Sequence, residues 1–170
     1  MIGTEVMVRM GELATSASAD DTLVSLALGS CIGVAMVDRR RGVAGLAHVM
    51  LPASPGHKAG DVGRFADTAV PALLDELLGL GALRPRLEVS LVGGAQMFAA
   101  KDSSLAIGRR NEEGVRAALR ALRLPVVAHC TGGKAGRTIR VTVGTGEVTV
   151  KEAGGTAWVL DASNSGRATA

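Results

Sequence analysis

Aromatic side chains are almost absent from this chain: they make up 2% of it, and there is no Tyr at all. A nucleic-acid reader that stacks bases on aromatic platforms is therefore not expected. Cysteine is as scarce, with Cys31 and Cys130 alone, and histidine stops at His48, His57 and His129. Two thiols do not make a disulfide scaffold; without an export signal they read as free thiols of a cytoplasmic protein. The N-terminus, MIGTEVMVRMGELATS, has no uninterrupted apolar stretch behind a basic one, so it does not read as a signal peptide. Nowhere do the roughly 18 apolar residues of a membrane span follow one another, and no membrane insertion is expected. A strong charge of one sign is missing too. The formal net charge is +3, the basic residues are spread out, and the densest run, Asp38 to Gly42 (DRRRG), reads as a solvated turn.

What the chain does have is small aliphatic residues. It is 47% hydrophobic over 170 residues, enough for one domain with a substantial core. Residues 22–38 read as two apolar strand segments interrupted at Gly29-Ser30, and 43–51 as a further apolar run ended by Pro52. His57 falls in the loop that follows, as an exposed residue. Between 64 and 82 the period changes: Phe65, Ala69, Leu73, Leu74, Leu77 and Leu78 fall at helical spacing, with Pro71 either starting or kinking the helix and Gly79 or Gly81 ending it. Residues 87–98 (LEVSLVGGAQMF) return to strand, closing on the Gly93-Gly94 pair. Asn111 then reads as the N-cap of a second helix, EEGVRAALRALRL. A strand at PVVAHCTGG and a hairpin over 137–153, turning at Gly144-Thr145-Gly146, complete the pattern. The expected fold is α/β: a single layered domain with mixed β-sheets and two main helices over residues 1–160, a flexible tail at 161–170, and a monomer.

One pair of residues carries chemistry. A thiol attacks a carbonyl carbon as thiolate, so it needs a group to take its proton and return it to the leaving group; one imidazole does both. If Arg40 and Arg41 form a two-residue hairpin tip, Cys31 lies opposite Met50 and His48 opposite Gly33. Cys31 and His48 are then diagonal neighbours on one face, with Cα atoms roughly 7–8 Å apart. A three-residue tip would send His48 to the other face. Gly29, two residues before the thiol, permits a sharp bend, and free N–H groups near Ser30 and Cys31 could hold an oxyanion. The competing reading is a buried core cysteine, since Cys is among the most buried residue types.

The motifs LGSCIGV and AHVMLP, followed by GRFADTAVPALLDEL, GGAQMF (93–98), IGRRN (107–111) and TGG (131–133), resemble the CheD family, the chemoreceptor glutamine deamidases of bacterial and archaeal chemotaxis. The resemblance runs in order over roughly residues 5–155. It implies a layered α/β fold whose active site is similar to that of deamidating bacterial toxins. It implies Cys31 as nucleophile and His48 as general acid/base. The third family position, six residues before the Cys, is Thr in other members and Ser25 here. A hydroxyl that orients the imidazole is kept, provided the chain bends near Gly29. The implied substrate is a glutamine side chain in the cytoplasmic domain of a methyl-accepting chemoreceptor, with backbone N–H groups around Gly29 and Ser30 holding the oxyanion and no metal or organic cofactor. The implied partner is a CheC-type phosphatase of phosphorylated CheY.

Other constellations are weaker. His129 and Cys130 are adjacent on a strand and point to opposite faces, so a zinc site built with Cys31 and His48 is not expected. TGGKAGR lacks the spacing of a phosphate loop and reads as a β-turn beside the site. Two alternatives to a deamidase stay open: a phosphatase-binding module with little catalysis, and a thiol amidohydrolase acting on small amides.

Overall fold

The computed structural model describes residues 2–56, 60–96 and 106–166. Two five-stranded mixed sheets and two helices form three layers. The outer sheet has the order β1-β3-β8-β9-β10, from Glu5–Met7 (β1), Thr22–Leu28 (β3), Arg137–Thr142 (β8), Glu147–Glu152 (β9) and Trp158–Val159 (β10). The middle sheet has the order β2-β5-β4-β6-β7, from Leu13–Ser16 (β2), Val43–Val49 (β5), Ile32–Asp38 (β4), Glu88–Gly93 (β6) and Val126–Thr131 (β7). The helices Ala66–Gly79 (α1) and Ile107–Ala121 (α2) cover the free face of the middle sheet. Among the described residues, no helix is long and apolar enough to cross a membrane.

The layering explains why β4 and β5 are buried at all seven positions each. Side chains alternate across a strand, so a strand covered on both faces has no polar side to show. Ile32, Val34 and Met36 pack toward the helices, with Leu73, Leu77, Val115 and Leu119. Ala35, Val37, Ala44 and Leu46 pack toward the outer sheet, with Leu23, Ile139, Val141 and Val150. The alternating hairpin β8–β9 covers the far side.

The hairpin joining β4 to β5 is tighter in register than in length. The connection is Arg39–Gly42, four residues and not the two expected, with Asp38 paired to Val43. Both lengths are even, so the faces are unchanged and Gly33 stands opposite His48 as expected. Helix α1 runs through Pro71 and is closed by Gly81 N–H to Leu78 O and Ala82 N–H to Leu77 O. The expected cap at Asn111 is corrected: α2 starts four residues earlier, at Ile107, and Asn111 lies inside it on the buried face with Gly108, Val115 and Leu119. Its amide is taken by two loop carbonyls, so it is not available to cap. Of the tail expected at 161–170, the part up to Gly166 bonds to β7, through Gly166 N–H to His129 O and His129 N–H to Ser165 Oγ. Residues 97–98 of the expected strand, and His57, lie outside the described residues.

Asp38 anchors the hairpin. Its buried carboxylate accepts the N–H of Arg41 at 3.1 Å and of Leu83 at 2.9 Å, tying the turn to the chain entering β6. Burial pulls its pKa upward, but these backbone bonds and the nearby Arg86 guanidinium outweigh that and hold it below the ordinary carboxylate value. The stabilisation is therefore complete above the unfolded-state value of about 3.9 and is lost as pH falls through the lower folded value. Asp38→Ala leaves two N–H groups without their acceptor and should cost about 2–4 kcal/mol. Urea midpoints measured from pH 6 down to about pH 2 should fall with acidification in the wild type, and the Asp38→Asn profile should be flatter. Parallel profiles would remove Asp38 from the account.

Candidate active site

The chain crosses from the outer sheet to the middle sheet twice at the same end of the domain: once between β1 and β2, through residues 8–12, and once between β3 and β4, through Gly29, Ser30 and Cys31. The expected bend at Gly29-Ser30 is this second crossing. It separates Ser25, on the outer sheet, from the Cys31 that begins the middle-sheet strand. Ser25 is buried, and Cys31 packs on the core between the two sheets. A bulge in β3 between Ser25 and Leu28 assists: Ala27 takes a left-handed conformation, φ 51°, and Leu26 turns outward.

Ser25 and His48 meet on one atom. The Ser25 hydroxyl donates to the carbonyl oxygen of Val8 at 2.7 Å, and His48 Nδ1 donates to the same oxygen at 3.1 Å. Ser25 is fully buried and His48 is 4% exposed. The expectation that Ser25 bonds the imidazole is thus refined: it fixes the acceptor that the imidazole uses. A carbonyl only accepts, so Nδ1 carries the proton in the neutral ring and the lone pair sits on Nε2. His48 is further held by its backbone, which donates to Glu12 O and accepts from Gly11 N–H at 2.9 Å each.

Cys31 is half-buried and packs on the edge of the core between the sheets, the layer His48 also faces. The crossing that carries it is pinned at all three carbonyls. Gly29 O accepts Ala95 N–H at 2.8 Å, Ser30 O accepts Asn111 Nδ2 at 2.9 Å, and Cys31 O accepts Gly94 N–H at 2.8 Å. Gly93 makes this approach possible: it has φ +117°, and a Cβ there would stand 2.2 Å from Cys31 O. The buried Arg137 guanidinium donates to Gly93 O and Gly132 O and pairs with Glu152 at 3.1 Å, which ties the TGG turn to the loop behind Cys31.

Burial shifts both groups toward their uncharged forms. Burial pushes the Cys31 thiol above the ordinary cysteine value. Burial also pushes His48 below the ordinary histidine value, against the opposing effects of the Val8 carbonyl and Glu12. Such a site holds thiol and imidazole, not thiolate and imidazolium. A neutral imidazole with its lone pair on Nε2 can accept a proton from a thiol brought to it.

Cys130 is buried between the sheets. His129, beside it, faces α2: its Nδ1 lies 3.1 Å from Thr131 Oγ1, which donates to Glu112 at 2.8 Å. The two point to opposite sides, as the strand period requires. Three contributors escaped the sequence reading: the Val8 carbonyl, the Asn111 amide and the Arg137 guanidinium. A backbone acceptor has no residue signature. Asn111 and Arg137 each stand in a motif already singled out, but the sequence offers no sign that they reach loops so distant in the chain.

A three-layer domain with Cys31 and His48 at the end where the chain twice crosses between its sheets is the class of structure that fold and site define. By sequence the chain belongs to the CheD family: the model of that family, described as CheD chemotactic sensory transduction, matches residues 50–152. Similar proteins include the probable chemoreceptor glutamine deamidase CheD of Methanococcus vannielii, 38% identical over 145 residues, covering 85% of this chain and 93% of the relative. The protein of the same name from Desulfitobacterium hafniense (strain DSM 10664 / DCB-2) is 41% identical over 148 residues, covering 86% and 92%. That of Moorella thermoacetica is 43% identical over 136 residues, covering 78% and 81%.

The neutral resting pair has a direct consequence. Alkylation of Cys31 by iodoacetamide should be slow at neutral pH and rise with a midpoint above the ordinary thiol value of about 8.5. A midpoint at or below 7 would show a preformed ion pair and overturn this description.

Proposed function

We propose that the chain is a protein-glutamine deamidase that converts glutamine side chains of methyl-accepting chemoreceptors to glutamate. The observation that carries this reading is the meeting of Ser25 and His48 on the Val8 carbonyl, which leaves Nε2 as a base in the layer that Cys31 borders. The names of the relatives supply the substrate class.

In this mechanism Cys31 Sγ forms a bond to the carboxamide carbon of the glutamine as its proton passes to His48 Nε2. Backbone N–H groups at Ser30 and Cys31 hold the oxyanion. His48 then gives the proton to the leaving nitrogen, the C–N bond breaks, and ammonia departs from a thioester. Water, deprotonated by the same Nε2, attacks the thioester and expels the thiolate, which regains its proton and leaves glutamate. The Val8 carbonyl stays on Nδ1 throughout and stabilises the transient imidazolium. Ser25 keeps that carbonyl in place. A CheC-type phosphatase is proposed as a second partner, on family membership alone; a pull-down that recovers no complex would remove it.

Mass spectrometry of receptor cytoplasmic fragments incubated with the protein should show Gln-to-Glu conversion at defined sites. Cys31→Ala and His48→Gln should each lower the rate by roughly 10³-fold or more. Ser25→Ala should fold and slow turnover about fivefold, the equivalent of one buried hydrogen bond. Equal conversion by Cys31→Ala would sink the deamidase reading; an unchanged Ser25→Ala rate would remove only Ser25.

A further inference from the structure

The least expected polar group near Cys31 is Asn111. It is fully buried in α2, 80 residues from the thiol in sequence, yet its Nδ2 donates to Ser30 O and to Met50 O at 2.9 Å each. Those carbonyls belong to the residue before the thiol and to the second residue after His48. Helix α2 can approach because Gly108, one turn earlier, is the residue there: a Cβ at that position would stand 2.5 Å from Gly94 O. The amide oxygen Oδ1 is buried with no hydrogen-bond partner among the described residues. That orphaned acceptor costs free energy, which the two carbonyls satisfied by Nδ2 offset. What Asn111 supplies is its two donors.

Those donors fix a peptide plane. A trans peptide is planar, with its C=O and N–H pointing in opposite directions. With Ser30 O drawn toward α2, the N–H of Cys31 points away from α2, the side on which the Cys31 side chain and His48 lie. We propose that Asn111 is a positioning residue for the chemistry: it aims the Cys31 N–H at the developing oxyanion and locks the nucleophile loop to the strand end that follows His48. This rests on Cys31 as nucleophile, but not on the identity of the amide substrate.

Two reagents separate positioning from scaffolding. With p-nitrophenyl acetate, Cys31 Sγ bonds to the acetyl carbon through a tetrahedral oxyanion, p-nitrophenolate leaves with the electron pair of the broken C–O bond, and the thiol proton goes to His48 or solvent. Iodoacetamide alkylates the same sulfur by displacing iodide, with no oxyanion. Both are compared in the wild type, Cys31→Ala, Asn111→Leu and Asn111→Ser, with cooperative thermal unfolding confirmed for each. The Asn111 variants should acylate Cys31 about 10²-fold more slowly, while alkylation changes by less than about threefold. Unchanged acylation, equal losses with both reagents, or failure of both variants to fold would overturn the proposal. An absence of Cys31-dependent acylation in the wild type would overturn the nucleophile assignment with it; normal acylation without receptor deamidation would overturn only the substrate.

Discussion

Three residues carry the chain from one sheet to the other, and the site follows from that short span. Gly29, Ser30 and Cys31 must leave an outer strand and enter a middle strand whose two neighbours are already paired. So short a crossing leaves backbone groups without ladder partners, and a buried carbonyl must be paired elsewhere. The structure satisfies the three carbonyls from two directions: the Gly94-Ala95 backbone on one side and the Asn111 amide on the other. The thiol thereby stands on a segment that is fixed without being part of a sheet. A second crossing at the same end, through residues 8–12, brings the Val8 carbonyl to the same joint.

Burial does two things to the pair at that joint. It raises the thiol and lowers the imidazole, so each partner is uncharged at rest. A thiolate is the form that oxidants and stray electrophiles attack, and a site that withholds it is protected in the absence of substrate. The imidazole compensates through its tautomer. Because the Val8 oxygen can only accept, the neutral ring carries its proton on Nδ1 and has its basic nitrogen, Nε2, settled in advance.

The parts of this arrangement legible in the sequence are those with a period or a parity. The faces of β4 and β5 survived an error in the length of their connection, because two and four residues preserve the same alternation. The break at Gly29-Ser30, both helices and the β8–β9 hairpin were legible for similar reasons. The short strands β1, β2 and β10, of three, four and two residues, were too brief to show alternation. Asn111 carries the signature of a cap because short polar side chains favour that place, and because the buried face of α2 opens with Gly108 and Asn111, which no hydrophobic pattern counts as core. Arg137 has no such signal, because a charged residue in an alternating strand ordinarily marks the wet face, whereas this one is buried and bonded to two carbonyls and Glu152.

The two hydrogen bonds on the Val8 oxygen come from different sheets, Ser25 from the outer and His48 from the middle. Each sheet could keep its own ladder if the apolar layer between them loosened, but that oxygen could not keep both donors. The shared acceptor is therefore a property of sheet docking and not of secondary structure. A partly folded state with its strands intact and its interior swollen would retain its circular dichroism in the far ultraviolet and lose the aligned base. In a folding reaction the shared acceptor can form only once the sheets have docked, and it is lost when they part.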